Sequence, residues 1–476
     1  MKSQTLFALA TGIFAVTTAN VLEATEFVFP NAGGEISVPG DWSGNAPGVS
    51  DGITINQNGN YTISSDLEVL GIVATADSPS ITASDGVKIT LNAVNKGSAL
   101  LGKVNKMNGL QLSGGFYYTP NEASVFPLYA YNLDYRQPGS TATLSGVSIS
   151  NLYIFAAANR FSDAKTTLIN GCNVWARTLQ VGSGVGSGCT LEVTDGSRIF
   201  SLQHLYPDGS NDNGGHNLLV VSGAGSLVSI GASTYSGNYA GTNSILVTDC
   251  ATFSETQAMM LGRNFGGDSC TFQNCSTGLL AGVELGSSAS GACSNSFSVL
   301  SGSYVTANSV VVGNYSSGNT LIVDDSTLIA NGGLKIGNSK SEAATDNTVI
   351  MRGKNAQIEV ASGQWITSCN RATFRFEVPE TGYARVPLKS SHCQWLADVT
   401  FEVECKKFRR AGGGDIELVQ AGASTWIDQN TDGNLASRLT ALNASQPEGC
   451  YFSISGAKVI YHAPYLPPKG TLISFQ

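Results

Sequence analysis

Charged residues make up only 13% of this 476-residue chain, so a disordered polyelectrolyte is excluded. A basic excess is also missing. Lys and Arg together number 26 against 35 Asp and Glu, giving a net charge of −9. That balance argues against a nucleic-acid partner, which needs concentrated positive charge. The one basic run is Lys406, Lys407, Arg409 and Arg410. It follows the strand-like Val399–Cys405 and reads as a strand edge guarded by charge. Convincing amphipathic helix patterns are nearly absent, which excludes a helical bundle. The longest apolar run, Leu6–Val16, is too short to span a bilayer. There is no Cys-x-x-Cys pair and no Cys/His set at zinc spacing. Histidine occurs only at 204, 216, 392 and 462, and none stands beside a Ser, Cys or Asp arrangement that names a catalytic triad.

What the chain does have is 55 glycines and many short runs of Val, Ile, Leu and Thr broken by Gly, Asn, Ser and Asp. Such runs are the signature of short strands joined by turns, so the chain reads as all-β. At the N-terminus, Lys2 precedes the apolar Leu6–Val16, and Thr17 and Ala19 offer small residues at −3 and −1. This reads as a secretory signal over residues 1–19, which implies an exported mature chain, extracellular, surface-held or periplasmic.

An internal repeat dominates the middle of the chain. Polar openers followed by alternating strands occur at Cys189, Asn217, Asn243, Cys270, Asn295, Asn319 and Asn347, spaced 24 to 28 residues apart. A second strand inside most units ends in an apolar residue followed by Gly: Val181-Gly182, Ile230-Gly231, Leu261-Gly262, Leu285-Gly286, Val312-Gly313 and Ile336-Gly337. Glycine there suits a corner that needs positive φ or close backbone approach. One unit cannot bury its own apolar face. Stacking units about 4.8 Å apart pairs each strand with its equivalents and makes one continuous core. Asn at the same place in five of the seven units fits a stacked amide ladder at a corner. The sequence therefore predicts a parallel β-helix (β-solenoid), with irregular N-terminal rungs and a small C-terminal α+β cap.

The Asn-x-Leu/Ile-x-Val openings, as in Asn319–Val323, and the later strands ending in Gly, as in Leu334–Gly337, resemble repeats of autotransporter (type V secretion) passenger regions. They are also similar to secreted PEP-CTERM-associated bacterial proteins. Trp42, Gly44 and Pro47, then Asp51–Ile55 and Gly59–Thr62, look like the start common to that group. The resemblance implies an exported β-helix. Two of its usual companions are not found: the residues after the last repeat do not read as a membrane barrel, and no PEP-CTERM tail is recognised.

The expected organisation is a signal peptide over 1–19, an irregular β-helix start over 20–165, the repeat solenoid over 166–374 and C-terminal rungs with a cap over 375–476. Within the cap, Asn434–Asn443 places Leu435, Leu439 and Leu442 on one helical face. Strand-like Cys450–Ser455 and Lys458–His462 follow. Ten Cys in an exported chain permit disulfides. The separations of Cys250 and Cys275, Cys270 and Cys293, and Cys369 and Cys393 match one repeat turn, although Cys250 and Cys275 sit two positions apart in phase in this alignment. The other reading is a set of buried free thiols packed as small apolar residues.

Asp428, Asn430 and Asp432 followed by Gly433 match the first half of a D-x-N-x-D-G calcium loop, but position 12 is Leu439 rather than an acid. A helix N-cap turn is the simpler reading. The Asp208–Gly215 loop offers a weaker calcium candidate. The repeat region supplies Asp195, Arg198, Asp249, Arg263, Asp268, Asp324, Asp325 and Lys335 as groove residues, each equally suited to a turn or a solvated face. No catalytic constellation emerges. The leading expectation is a non-catalytic exported scaffold or adhesin that meets surface glycans or other cell-surface proteins. A polysaccharide lyase or glycosidase built on a β-helix is the rival.

Overall fold

A computed structural model describes residues 26–37, 42, 47–48, 51–69, 71–74, 80–83, 88–91, 110–113, 117–118, 131–132, 141–146, 148–156, 163–182, 187–208, 215–287, 293–338, 341, 343–395, 399–428 and 435–467. The proposed signal segment lies outside them. The chain forms a parallel β-solenoid with three faces per turn. Fifteen strands stack in one sheet, from Gly34–Glu35 to Thr400–Glu404, each parallel to the equivalent strand of the next turn. A second face carries strands such as Arg198–Ser201, Leu227–Ile230 and Thr327–Ala330. The third carries short strands such as Leu205–Tyr206, Thr234–Tyr235 and Leu334–Ile336. In Thr252–Leu261, Thr277–Leu285 and Tyr304–Val312 the second and third faces merge into one long strand.

Alternation sets which residues enter the core. In Thr320–Asp324, Leu321 and Val323 are buried while Thr320, Ile322 and Asp324 are only partly covered. The register then stacks like upon like. Phe297, Leu321, Val349, Phe374 and Phe401 form one inward column, and Val299, Val323, Met351, Phe376 and Val403 form the next. Each turn thus covers the apolar face that its neighbour cannot cover alone. At the N-terminal end, Trp42 and Tyr61, singled out by sequence, are core residues packed edge-on against Phe29.

The asparagine ladder is present and continuous. The main-chain amide of each opener donates to the side-chain Oδ1 of the next: Cys189 to Asn217 at 2.9 Å, Asn217 to Asn243 at 3.2 Å and Asn243 to Asp268 at 2.8 Å. Asp268 to Asn295 at 3.0 Å, Asn295 to Asn319 at 3.1 Å and Asn319 to Asn347 at 3.0 Å complete it. The fourth opener is therefore Asp268, not Cys270, which lies in the core between Ile245 and Phe297. The next turn places Ala372 at the ladder position, and the Asn347 Nδ2 is left without a partner.

The glycine column runs beside this ladder. Gly262 and Gly313 have φ of +68° and +77°, and a Cβ on either would collide with the Asn295 or Asn347 amide. Glycine is required there twice over. Gly231 belongs elsewhere: register puts Gly237 in the column, two residues beyond Tyr235 as Gly262 is beyond Met260. A second polar column stands at another corner, built from serines that carry no distinctive spacing signal in the sequence. Ser276 N–H donates to Ser303 Oγ at 3.2 Å, and Ser303 N–H to Ser326 Oγ at 3.1 Å, all three serines buried.

The C-terminal cap changes strand direction. Gly414–Gln420 pairs parallel with Leu388–Lys389 on one side and antiparallel with Lys458–Ala463 on the other. Tyr451–Ser455 adds antiparallel beyond that. Lys406–Ala411 is a helix (α1), so the basic run does not guard a strand edge. Arg409 is buried instead, donating to the carbonyls of Pro464 and Glu448, which ties α1 to the last residues of the cap. The predicted helix is present as Leu435–Asn443 (α2), with Leu435 and Leu439 buried. It closes over the last turn, where Trp395 donates to the Ile427 carbonyl at 2.7 Å and packs on Phe374 and Phe401. No described helix is long and apolar enough to cross a membrane.

Candidate functional site

In the glycine column Asp208 takes the place of a glycine, as Cys369 does at the far end, and it stands two residues beyond Tyr206 in the strand that pairs with Leu179–Gln180. Its Oδ2 accepts the amides of Tyr239 at 2.6 Å and Ala240 at 3.3 Å, and so fixes the loop of the following turn. Above it, aromatic side chains gather across adjacent turns. Tyr206 and Tyr235 are register neighbours on the third face, with ring centroids 5.6 Å apart. His204 lies 5.0 Å from Tyr235 and 5.8 Å from Tyr206, and Tyr239 lies 6.5 Å from Tyr206. From the third turn, the Arg263 guanidinium sits over the Tyr235 ring at 4.3 Å. All five side chains are partly exposed.

The floor of this patch is acidic and buried. Asp208 is almost fully buried and its Oδ1 has no hydrogen-bond partner. Burial pushes its carboxyl up to about 6, although the loop amides oppose the shift. Asp268 is pushed up to about 7, again by burial and, to a lesser degree, by the charge of Asp208. Glu255, which accepts the Thr234 amide, is raised by burial as well. Burial also raises the Tyr206 phenol, which keeps it a neutral hydroxyl at ordinary pH. The arrangement offers aromatic faces, hydroxyls and one cation to a flat polar ligand, and it resembles the polar-studded apolar sites that bind small molecules.

The other sequence candidates do not converge. Asp195, Asp249 and Asp325 occupy corners with φ near +50°, as turn residues. Asp324 pairs with Arg352 at 2.7 Å, and Lys335 donates to Asn338 at 3.2 Å. Only Arg263 reaches the patch, with Asp268 beneath it. Asp428 accepts the amide of Leu435 at the start of α2, the role of a helix cap. Asn430, Asp432 and most of the Asp208–Gly215 loop lie outside the described residues. Among the described residues, no cluster of three or more His, Cys, Asp and Glu is placed to hold a metal ion.

All ten cysteines stand as free thiols. Cys270 packs beside Phe297 rather than Cys293, which stacks on Gly266. Cys393 pairs in register with Ile366, whereas Cys369 stacks on Gly337. Repeat length varies from turn to turn, so equal spacing does not guarantee stacking. Cys250 and Cys275 are different. Both are the second residue of a left-handed corner, after Asp249 and Asn274, and those two preceding side chains bond to each other at 3.1 Å. They are stacked and exposed. A cleft of about 390 Å³ also opens beside the cap, lined by Tyr383, Arg385, Phe408, Asp415 and Glu417.

No protein-family model matches the chain, and no curated protein or solved structure matches it either.

Proposed function

We propose that the protein is an exported scaffold that holds a glycan, without cleaving it, on the patch formed by His204, Tyr206, Tyr235, Tyr239 and Arg263. The observation that carries this reading is the Arg263–Tyr235–Tyr206 array, which is spread along the stack direction. Sugar rings bind by laying their C–H faces on aromatic rings while their hydroxyls meet polar groups, and adjacent turns of the solenoid lie about 4.8 Å apart, close to the length of one saccharide unit. Export is supported by the Lys2, Leu6–Val16, Thr17 and Ala19 sequence.

Affinity electrophoresis of the whole protein through gels containing neutral or uronate polysaccharides tests the reading. Retardation is expected for the native chain, with at least tenfold weaker binding for Tyr235→Ala and Arg263→Ala at unchanged melting temperature. Binding that survives both substitutions, or no retardation in any gel, would overturn it. Release of reducing or unsaturated sugar ends by the native chain would support the carbohydrate-active enzyme instead.

A further inference from the structure

On the outward face of the cap, three antiparallel strands bring together residues far apart in sequence. The Ser453 Oγ lies 2.7 Å from the His462 Nε2, and the His462 Nδ1 lies 2.7 Å from the Asp415 Oδ1. Register explains the contact. Asp415 stands directly opposite His462, and Ser453 is two residues from Tyr451, the other residue opposite His462. Residues two apart share a face, so all three side chains point outward. The carboxylate selects the tautomer with the proton on Nδ1 and leaves Nε2 to accept from the serine hydroxyl. The Tyr451 ring stacks on the imidazole with centroids 4.2 Å apart and fixes its plane.

We propose that Ser453, His462 and Asp415 form a serine acyl-transfer site that hydrolyses small esters. The roles follow from the atoms in contact. The Ser453 Oγ attacks the ester carbonyl carbon as its proton passes to the His462 Nε2. The carbon–oxygen bond to the leaving alcohol breaks, and the alcohol departs with that proton. Water then attacks the acyl-serine, giving the proton to His462, which returns it to Ser453 as the carboxylic acid leaves. Asp415 does not touch the substrate; it holds the imidazole and balances its transient charge. The strands present an open face rather than a deep acyl tunnel, so short acyl groups such as acetyl are the fitting class. Asp415 is 67% exposed, which weakens its electrostatic help and makes slow turnover the expectation.

A fluorophosphonate probe tests this on the whole protein. Ser453 displaces fluoride, forming a stable phosphorus–oxygen bond that peptide mass spectrometry locates. Labelling is expected at Ser453 and not at Ser455, the next outward serine of the same strand. It should vanish in Ser453→Ala, fall at least a hundredfold in His462→Gln and fall about tenfold in Asp415→Asn. Hydrolysis of p-nitrophenyl acetate should follow the same order. A native protein unlabelled at Ser453, or labelling that persists unchanged in His462→Gln, would overturn the proposal. Polysaccharide binding by the Tyr235 patch is a separate measurement and does not depend on this one.

Discussion

Asp268 accepts the main-chain amide of Asn243 at 2.8 Å, taking the place that asparagine holds in the neighbouring turns of the ladder. It is the acid in a column of amides, and it is fully buried. Between the ordinary aspartate value of 3.8 and about 7, the folded chain holds a proton that the unfolded chain has released. The stability contributed by this group is therefore complete below about pH 4 and is lost as pH rises through about 7. Asp208 adds the same trend over a window ending at about 6. The thermal midpoint should fall by a few degrees from pH 5 to pH 8. Asp268→Asn, which completes the ladder, should flatten that slope above pH 6. A variant slope equal to the native one would show that Asp268 is already ionised when folded.

Removing one ladder amide should cost more than a surface change. Asn319→Ala strips the acceptor from both the amide and the Nδ2 of Asn295. Two buried donors then lose their partner, for a loss of about 2–4 kcal/mol. Ser317→Ala, in the loop before it, should fall within about 0.5 kcal/mol of the native chain. Urea midpoints of the two variants settle the comparison.

Two glycines with the same backbone twist separate strain from collision. Gly313 and Gly363 have φ of +77° and +78°, but only at Gly313 would a Cβ meet another group, the Asn347 amide. Gly363→Ala should cost about 1 kcal/mol. Gly313→Ala should cost about 2–4 kcal/mol, since the ladder itself must move. Equal denaturation midpoints would mean that the Asn347 side chain turns aside freely.

Thiol reactivity should divide by position. Cys250 and Cys275 are exposed and stacked, so a thiol-specific maleimide should label both in the folded chain. Cys270 and Cys393 are buried, the former raised well above the ordinary thiol range and the latter pushed up to about 12. They should stay unlabelled until the chain unfolds. A mild diazene oxidant, which takes one hydrogen from each thiol, should join Cys250 to Cys275 and to no other cysteine, as peptide mapping would show. Cross-linking of Cys270 to Cys293 would contradict the register.

The parts of the fold legible in the sequence are those written within one turn. Alternation in Asn319–Asp324, the corner glycine at Gly313 and the leucines of α2 each carry their own local signal. The misplaced opener has a physical cause. A strand slipped by two residues keeps every side chain on the same face, so alternation cannot tell Asp268 from Cys270. The same ambiguity hid the shared phase of Cys250 and Cys275, whereas Gly231 mimics a column glycine because it follows the apolar end of Leu227–Ile230, a strand of the second face rather than the third. The candidate sites were illegible for another reason. Tyr206, Tyr235 and Arg263 meet only when three turns of unequal length are stacked. Asp415, Ser453 and His462 meet only through antiparallel pairings that no spacing announces.

The reversal of chain direction at Lys458–Ala463 has a further effect on how molecules meet one another. A stack of parallel coils is an open template, and a second molecule whose first turn matched its last could extend it without limit. Here the final parallel strand, Gly414–Gln420, is already paired along its outer side by a strand running the opposite way. An incoming parallel coil would find its hydrogen-bonding groups out of step. On that face the cap therefore leaves no free parallel edge on which a second molecule could stack.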